Sequence, residues 1–372
     1  MKSSINWLQY SIGLILLIIS LIAFFNFKVD SVGIFGHSNY LSKAAKALTT
    51  GKMIAGLQNI DDRLFQELII RNLRVQNDVI AIGSSTTMHL RKSIVSKDST
   101  NFFNHAVNGA SLEDYISITG VYEEIHGYLP STIILGIDPW VFNINNGQGG
   151  RWKSLKKFYD YQIDKIYFET LTNNSDINNN SINAIKWLQL INFDYTVSNI
   201  KFFIRTLVKK DSANPPKFYI VDSIEIDDFI RIEDGSIYYP NEIKDLNHEQ
   251  VKQHAIAFAK SKNPYSLGNF DSLSNIELFE DFVMYLKLKN VDVVLFLPPY
   301  NPIAYDLLIE NEKYKHILIA EKYLIDFAKL NDINIMGSYN PNKYNFSNED
   351  FFDAVHGRDH VPQEIFKPFL KN

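Results

Sequence analysis

The stretch Asp78-Val-Ile-Ala-Ile-Gly-Ser-Ser-Thr-Thr-Met-His-Leu90 decides how the chain is read. Val79 to Gly83 is an unbroken apolar run closed by glycine, the pattern of a short strand buried on both faces of a parallel sheet. It leads directly into Gly83-Ser84-Ser85-Thr86-Thr87, a small polar turn at the carboxyl end of that strand. Open α/β sheets bind their ligands outside the carboxyl ends of the strands. A serine pair at that point can be a nucleophile, and it can equally be a helix N-cap. The stretch alone does not choose between them.

Four further segments repeat the pattern. Asn101-Phe-Phe-Asn-His-Ala-Val-Asn-Gly-Ala-Ser111 reads as a strand ending in Asn108-Gly109, a turn pair that tolerates positive φ. Ser131-Thr-Ile-Ile-Leu-Gly-Ile-Asp-Pro-Trp140 and Val291-Asp-Val-Val-Leu-Phe-Leu-Pro-Pro-Tyr300 read as a third and a fourth strand, and Asp332 to Gly337 as a fifth. Helical stretches are expected at Leu112 to Gly127 and from about Ala304 to Leu330. Strands alternating with helices predict an α/β fold with a doubly wound parallel sheet in three layers.

The chain has 372 residues, enough for one large domain with an insertion or for two domains. Its net charge of −5 argues against a nucleic-acid binder, which would carry a basic patch or stripe. With no cysteine, disulfides, thiol catalysis and thiolate metal sites are excluded. The 20 Tyr and 26 Phe are mostly core material, with enough left over for sugar-stacking surfaces.

Residues 7–27 predict a transmembrane anchor, uncharged from Ile12 to Phe25 and carrying Trp7 and Tyr10 at one end as interfacial residues. No small-x-small cleavage site follows the apolar run, so an uncleaved anchor is expected rather than a signal peptide. Lys2 lies on one side of it and Lys28, Lys43 and Lys46 on the other, which leaves the positive-inside rule nearly silent on orientation. Residues 28–77 read as a stem with helical segments at Lys43 to Leu57 and Asp61 to Leu73 and no evident chemistry. Residues 78–372 then form the main domain. Within it, 141–289 reads as a helical insertion, with segments at Trp152 to Phe168 and Ile182 to Leu207 around an Asn/Ser-rich loop at Thr172 to Asn183. The insertion is expected either to act as a lid or to be a packed cap with no substrate role.

A nucleophilic serine needs a base within hydrogen-bond reach, and that base needs a carboxylate to fix its tautomer. Asp353 and His356, in Phe351-Phe-Asp-Ala-Val-His356, can supply both from one turn. Asp350 is the rival carboxylate. His356 and His360, four apart, could suggest a metal pair, but Gly357 intervenes and no Glu follows His356, so no metal is expected. His89 and His105 are expected to be structural or exposed, and Pro298-Pro299-Tyr300 to form a rigid exit from the fourth strand or to line a pocket. Gly147 to Gly150 lacks the Lys-Ser/Thr of a phosphate loop.

Taken in order, these blocks resemble the SGNH (GDSL-like) hydrolases and acyltransferases. Gly83-Ser84-Ser85 is similar to the family's Gly-Asp-Ser and implies Ser85 as nucleophile; Asn104-His-Ala-Val-Asn-Gly109 resembles Asn-x-Gly-x-x-Gly and implies Gly109 as an oxyanion donor. Gly136-Ile-Asp-Pro139 resembles Gly-x-Asn-Asp, and Asp353-Ala-Val-His356 matches Asp-x-x-His. Ser84 stands in place of the family's Asp, as in its membrane-anchored branch, which includes the D-alanyl-transfer protein of teichoic acids and the alginate O-acetylation proteins. Asp138 stands where the family has an oxyanion-donating Asn, and an ionised Asp only accepts hydrogen bonds. Either Asp138 is protonated, or it points elsewhere, or another group donates.

The resemblance implies an SGNH-like, flavodoxin-like catalytic domain outside the cytoplasm, and acyl transfer or ester hydrolysis on a cell-surface polysaccharide through an acyl-Ser85 intermediate. Ser84, Gly109, Asp138, Trp140 and Arg151 would form the oxyanion and substrate-binding set. The implied partners are an acyl donor, a carbohydrate acceptor and an integral-membrane acyltransferase delivering the acyl group, with no cofactor. A second reading, of another class, is a non-catalytic carbohydrate-binding or assembly partner of a polysaccharide modification or export machine.

Overall fold

A computed structural model describes residues 2–29, 40–57, 60–95, 100–148, 150–168, 189–191, 196–197, 200, 218–262, 264 and 267–369. The fold is mixed α/β, with two sheets among these residues. Its strands in chain order are β1 (Met53–Ala55), β2 (Val79–Ile82), β3 (Phe102–Asn104), β4 (Thr132–Gly136), β5 (Tyr219–Val221), β6 (Ile230–Arg231), β7 (Ile237–Tyr238), β8 (Asp292–Leu297) and β9 (Asn334–Gly337).

The main sheet has five strands in the order β3-β2-β4-β8-β9, every pair parallel. Numbered within the sheet, this is the order 2-1-3-4-5 of one of the two common doubly wound arrangements. The strand order reverses between β2 and β4, and open α/β sheets bind ligands in the crevice beyond the carboxyl ends of the strands at such a reversal. Both strands are unbroken apolar runs because they are buried on both faces: Ile80, Ala81 and Ile82, and Ile133 to Leu135, have no solvent exposure. Each such Ile or Leu side chain contributes roughly 1.5–3 kcal/mol on burial.

Helices cover the sheet. Leu112–His126 starts at Ser111, whose backbone N–H donates to Asp114 Oδ2 (2.9 Å), and ends at Gly127 in the left-handed region (φ 71°). Tyr115, Ile116, Ile118, Val121 and Tyr122 of this helix join the core of the main sheet. The single helix expected from Ala304 to Leu330 is two, Pro302–Ile309 and His316–Leu330. Between them Asn311 turns its side chain back onto the Lys313 N–H (3.0 Å) and caps a short 3-10 turn.

The second sheet, in the order β5-β1-β6-β7, is antiparallel throughout. It corrects two expectations. The helix expected from Lys43 to Leu57 stops at Leu48, and after Gly51 (φ 79°) the chain becomes β1. The 141–289 stretch is not purely helical, since β5, β6 and β7 lie within it. The expected loop at Thr172 to Asn183 and most of the helix expected at Ile182 to Leu207 fall outside the described residues.

The N-terminal helix runs Lys2–Val29, and its Gln9–Val29 portion has a mean hydropathy of 2.4. Its 21 residues span about 31 Å, the thickness of a bilayer core, so the helix is long and apolar enough to cross a membrane. Ile12, Leu14 to Ile19, Leu21 and Phe24 are all exposed. Near its end, Asn26 is buried and donates to the Leu190 carbonyl and to Thr196 Oγ1, both at 2.7 Å.

Candidate active site

The turn after β2 is not a helix N-terminus. Thr87, Met88 and Leu90 donate their N–H groups to the carbonyls of Ser84, Ser85 and Thr87, a run of tight turns, and the next helix begins only at Lys92. Ser85 therefore caps no helix. Gly83 and Gly136 are needed here because Thr87 packs across both: a Cβ on either would lie inside the Thr87 side chain.

His356 Nε2 lies 2.9 Å from Ser85 Oγ, and His356 Nδ1 lies 2.7 Å from Asp353 Oδ2. The other Asp353 oxygen accepts the N–H groups of Val355 (2.8 Å) and His356 (2.9 Å). An ionised carboxylate only accepts, so Nδ1 carries the proton and Nε2 accepts the Ser85 hydroxyl. Burial pushes the Asp353 carboxyl up, but the His356 charge and these donors outweigh it and hold the carboxyl at about 2. Burial pushes the His356 ring down; Asp353 and then Asp138 more than reverse this, leaving it raised. Ser85, His356 and the ring of Tyr239 packed edge-on against His356 are all buried. A hydroxyl, an imidazole and a carboxylate in this relay are the parts of an activated oxygen nucleophile.

The 353–356 turn is held from both sides. Phe352 N–H donates to the His356 carbonyl (2.8 Å), and Asn301, just beyond β8, donates its N–H to Ala354 (2.9 Å). The Arg358 guanidinium reaches the Glu349, Lys244 and Leu246 carbonyls. The rival carboxylate, Asp350, is engaged elsewhere, on His360 Nε2 (2.7 Å) and on the Ser347 N–H and hydroxyl.

Asp138 begins the turn that follows β4. Its Oδ1 accepts the Thr86 hydroxyl (3.1 Å), while its buried Oδ2 has no hydrogen-bond partner among the described residues. Thr86 Oγ1 also lies 3.0 Å from Ser84 Oγ, so Ser84 and Thr86 tie Asp138 to the residues on either side of Ser85. Burial raises the Asp138 carboxyl, the Ser84 and Thr86 hydroxyls and the His356 charge lower it, and it stands at about 7. The neighbouring backbone is pinned by two buried hydroxyls, Tyr115 on Gly136 O and Tyr339 on Ile137 O, each at 2.8 Å.

Gly109 has φ 56°, and a Cβ there would come within 2.5 Å of Gln148 Oε1. Its turn is held by residues that the sequence reading passed over. Asp61 caps the helix Asp62–Arg71, accepting from the Arg63 and Leu64 N–H groups, and so aims Arg63 inward. The Arg63 guanidinium donates to the Asn108 (2.9 Å) and Gly109 (3.3 Å) carbonyls and grips Asp114 with two more bonds. Asp62 Oδ2 accepts from the Asn108 side chain (2.6 Å) and backbone (3.2 Å). The 28–77 stretch, expected to carry no chemistry, thus supplies the scaffold of the Gly109 turn. Asn104 has a similar part: its amide donates to the Thr87 (2.8 Å) and Leu90 (2.9 Å) carbonyls and fixes the Ser85 turn to β3.

One expected substrate-binding residue, Trp140, is placed differently. Trp140 is fully buried and donates its indole N–H to the Ala110 carbonyl (3.2 Å), so it braces the same turn from inside instead of facing a substrate. Arg151 is exposed at the rim, with Nη1 3.2 Å from the Asn108 carbonyl. His105 is buried between Gln66 Oε1 and the Tyr122 hydroxyl, both at 2.7 Å, and burial lowers it to about 3. His89 is buried against Tyr239 and Phe352 beside the Arg91–Asp359 ion pair (2.7 Å).

No protein-family model matches this chain, and no curated protein matches it significantly.

Proposed function

We propose that the chain is a membrane-anchored enzyme of the SGNH type that transfers or hydrolyses acyl groups through an ester on Ser85. The observation that carries this reading is the hydrogen-bonded relay Ser85–His356–Asp353, with contacts of 2.9 and 2.7 Å. It lies at the strand-order reversal between β2 and β4, where a doubly wound sheet binds its ligand.

In the first step Ser85 Oγ attacks the acyl carbonyl and its proton passes to His356 Nε2. Asp353 holds the ring's tautomer and stabilises the imidazolium. The carbonyl electrons move to oxygen, and the backbone N–H groups of Ser85 and Gly109 are the proposed donors to that charge. Collapse expels the leaving group with the proton from His356. A second nucleophile, a sugar hydroxyl or water, then gives up its proton to His356 and releases the acyl group.

The polysaccharide acceptor and the acetyl group rest on the resemblance to the membrane-anchored branch, together with the N-terminal helix. The proposed domain then lies outside the cytoplasm, with the acyl donor delivered from or through the membrane. Full-length protein in detergent micelles tests the chemistry with p-nitrophenyl acetate, alone and with an O-deacetylated cell-surface polysaccharide as acceptor. Turnover lost on Ser85→Ala and on His356→Ala supports the reading; turnover unchanged in either variant rejects the site. Acetyl groups appearing on the polysaccharide identify a transferase, and hydrolysis alone an esterase.

A further inference from the structure

Asp138 is an acid beside the relay that the acyl-transfer mechanism leaves unused. Five polar groups from four parts of the fold are close enough to couple with its charge: Ser84 and Thr86 in the turn after β2, Tyr115 on the helix Leu112–His126, Tyr339 beyond β9, and His356. The Tyr115 and Tyr339 hydroxyls are spent on the Gly136 and Ile137 carbonyls, and burial keeps both neutral. Of the five, only His356 can be charged near neutral pH.

The two Asp138 oxygens are not equivalent. Oδ1 takes the Thr86 hydroxyl, while Oδ2 is buried with no partner among the described residues. A buried carboxylate oxygen with nothing to accept from carries an uncompensated desolvation cost, and a proton on that oxygen removes the charge and turns it into a donor.

We propose that Asp138 works as a neutral carboxylic acid whose Oδ2–H donates to the oxyanion formed when Ser85 attacks, the role an asparagine amide would otherwise fill. The proposal rests on the acyl-transfer reading. No proton changes owner at Asp138: the Ser85 proton goes to His356, the new charge sits on the former carbonyl oxygen, and Asp138 shares its proton with that oxygen until the tetrahedral species collapses. The level of about 7 reached by the Asp138 carboxyl agrees with a group that is still substantially protonated near neutrality.

A consequence follows from the proximity to His356, whose charge lowers Asp138 just as Asp138 raises His356. The working state has a neutral ring and a neutral acid. Its competitor has the same proton count but the charges separated, imidazolium beside carboxylate, and the two groups titrate as a pair. The rate therefore rises with pH as the pair loses its first proton and falls as it loses its second. Replacing Asp138 by asparagine keeps a donor, abolishes the second loss, and frees His356 from the anion that raises it.

The test uses the full-length chain in detergent micelles, following fluorophosphonate labelling of Ser85 and p-nitrophenyl acetate turnover from about pH 5 to 9. Wild type is expected to show a bell-shaped profile. Asp138→Asn is expected to retain much of the activity that Asp138→Ala loses, to lose the alkaline fall and to shift its acid limb downward. Asp138→Ala is expected to lose about 10²–10³ in kcat with little change in KM. An Asn variant as impaired as the Ala variant, or an alkaline fall that persists in Asn, overturns the role of Asp138 while leaving the Ser85 chemistry standing. A wild-type protein that neither labels nor turns over rejects the acyl-transfer reading and this proposal with it.

Discussion

Arg63 Nε and Nη2 meet the two oxygens of Asp114 at 2.9 and 2.8 Å in the protein interior, and the same guanidinium holds the carbonyls of Asn108 and Gly109. Removing one partner of such a pair strands a buried charge, at a cost of roughly 3–5 kcal/mol. Arg63→Ala and Asp114→Ala are each expected to lower the free energy of unfolding by that much. An Arg63→Met/Asp114→Leu double variant should be less destabilised than either single, because it leaves no lone charge. Denaturant unfolding of all three checks this. Single variants within about 1 kcal/mol of wild type would mean that the pair does not anchor the turn.

Gly109 is constrained twice, by its φ of 56° and by Gln148, which occupies the space a Cβ would take. Gly109→Ala is expected to cost roughly 1–2 kcal/mol from the backbone alone. If its N–H serves the oxyanion, kcat should fall by more than the stability loss explains. Pairing Gly109→Ala with Gln148→Ala removes the steric part and isolates the backbone part. Equal activity in wild type and Gly109→Ala would remove Gly109 from the site.

The Asp353–His356 pair sets a pH window for stability. His356 is raised from 6.5 on folding, so its contribution is complete below 6.5 and disappears as pH climbs through the folded value. Asp353 is lowered from 3.8 to about 2, so its contribution is complete above 3.8 and disappears as pH falls toward 2. The stability difference between wild type and Asp353→Asn is therefore expected to be largest between about pH 4 and 6.5 and to shrink on both sides. Paired urea titrations across that range measure it, and a difference independent of pH would contradict the ion pair. The same variant should lose up to about 10⁴ in kcat, because the ring is no longer held in the working tautomer.

The absence of cysteine gives a direct route to sidedness. Leu330 is 84% exposed at the end of the helix His316–Leu330 and takes no part in the relay, so Leu330→Cys offers one reactive thiol on a chain that otherwise has none. A membrane-impermeant maleimide should label it in intact cells if the domain faces outward. Labelling only after permeabilisation would put the domain in the cytoplasm and remove the cell-surface substrate from the proposal.

The site's contributors differ in how visible they are from residues alone. Ser85, Asp353 and His356 sit in short segments whose local pattern, strand then polar turn or carboxylate three before imidazole, already marks them as candidates. The five parallel strands are visible for the same reason, as apolar runs closed by Gly, Asn or Pro. Asp62 and Arg63 carry no such mark: an acid and a base at the start of an amphipathic helix look like ordinary solvated charge. Their importance comes from contacts with Asn108, Gly109 and Asp114, 45 to 51 residues away. The second sheet is equally hidden, since its strands are two or three residues long and too short for alternation to show. Trp140 misleads in the opposite direction. An aromatic next to Asp138 invites a stacking role, yet its indole is packed in the core and bonded to Ala110.

The most direct test of the central claim is the site of modification by a fluorophosphonate on the full-length chain. Peptide mapping should find one adduct, on Ser85, formed fastest when His356 is neutral and absent in Ser85→Ala and His356→Ala. An adduct on Ser84 or elsewhere, or equal labelling in Ser85→Ala, would contradict the assignment of Ser85 as the activated nucleophile.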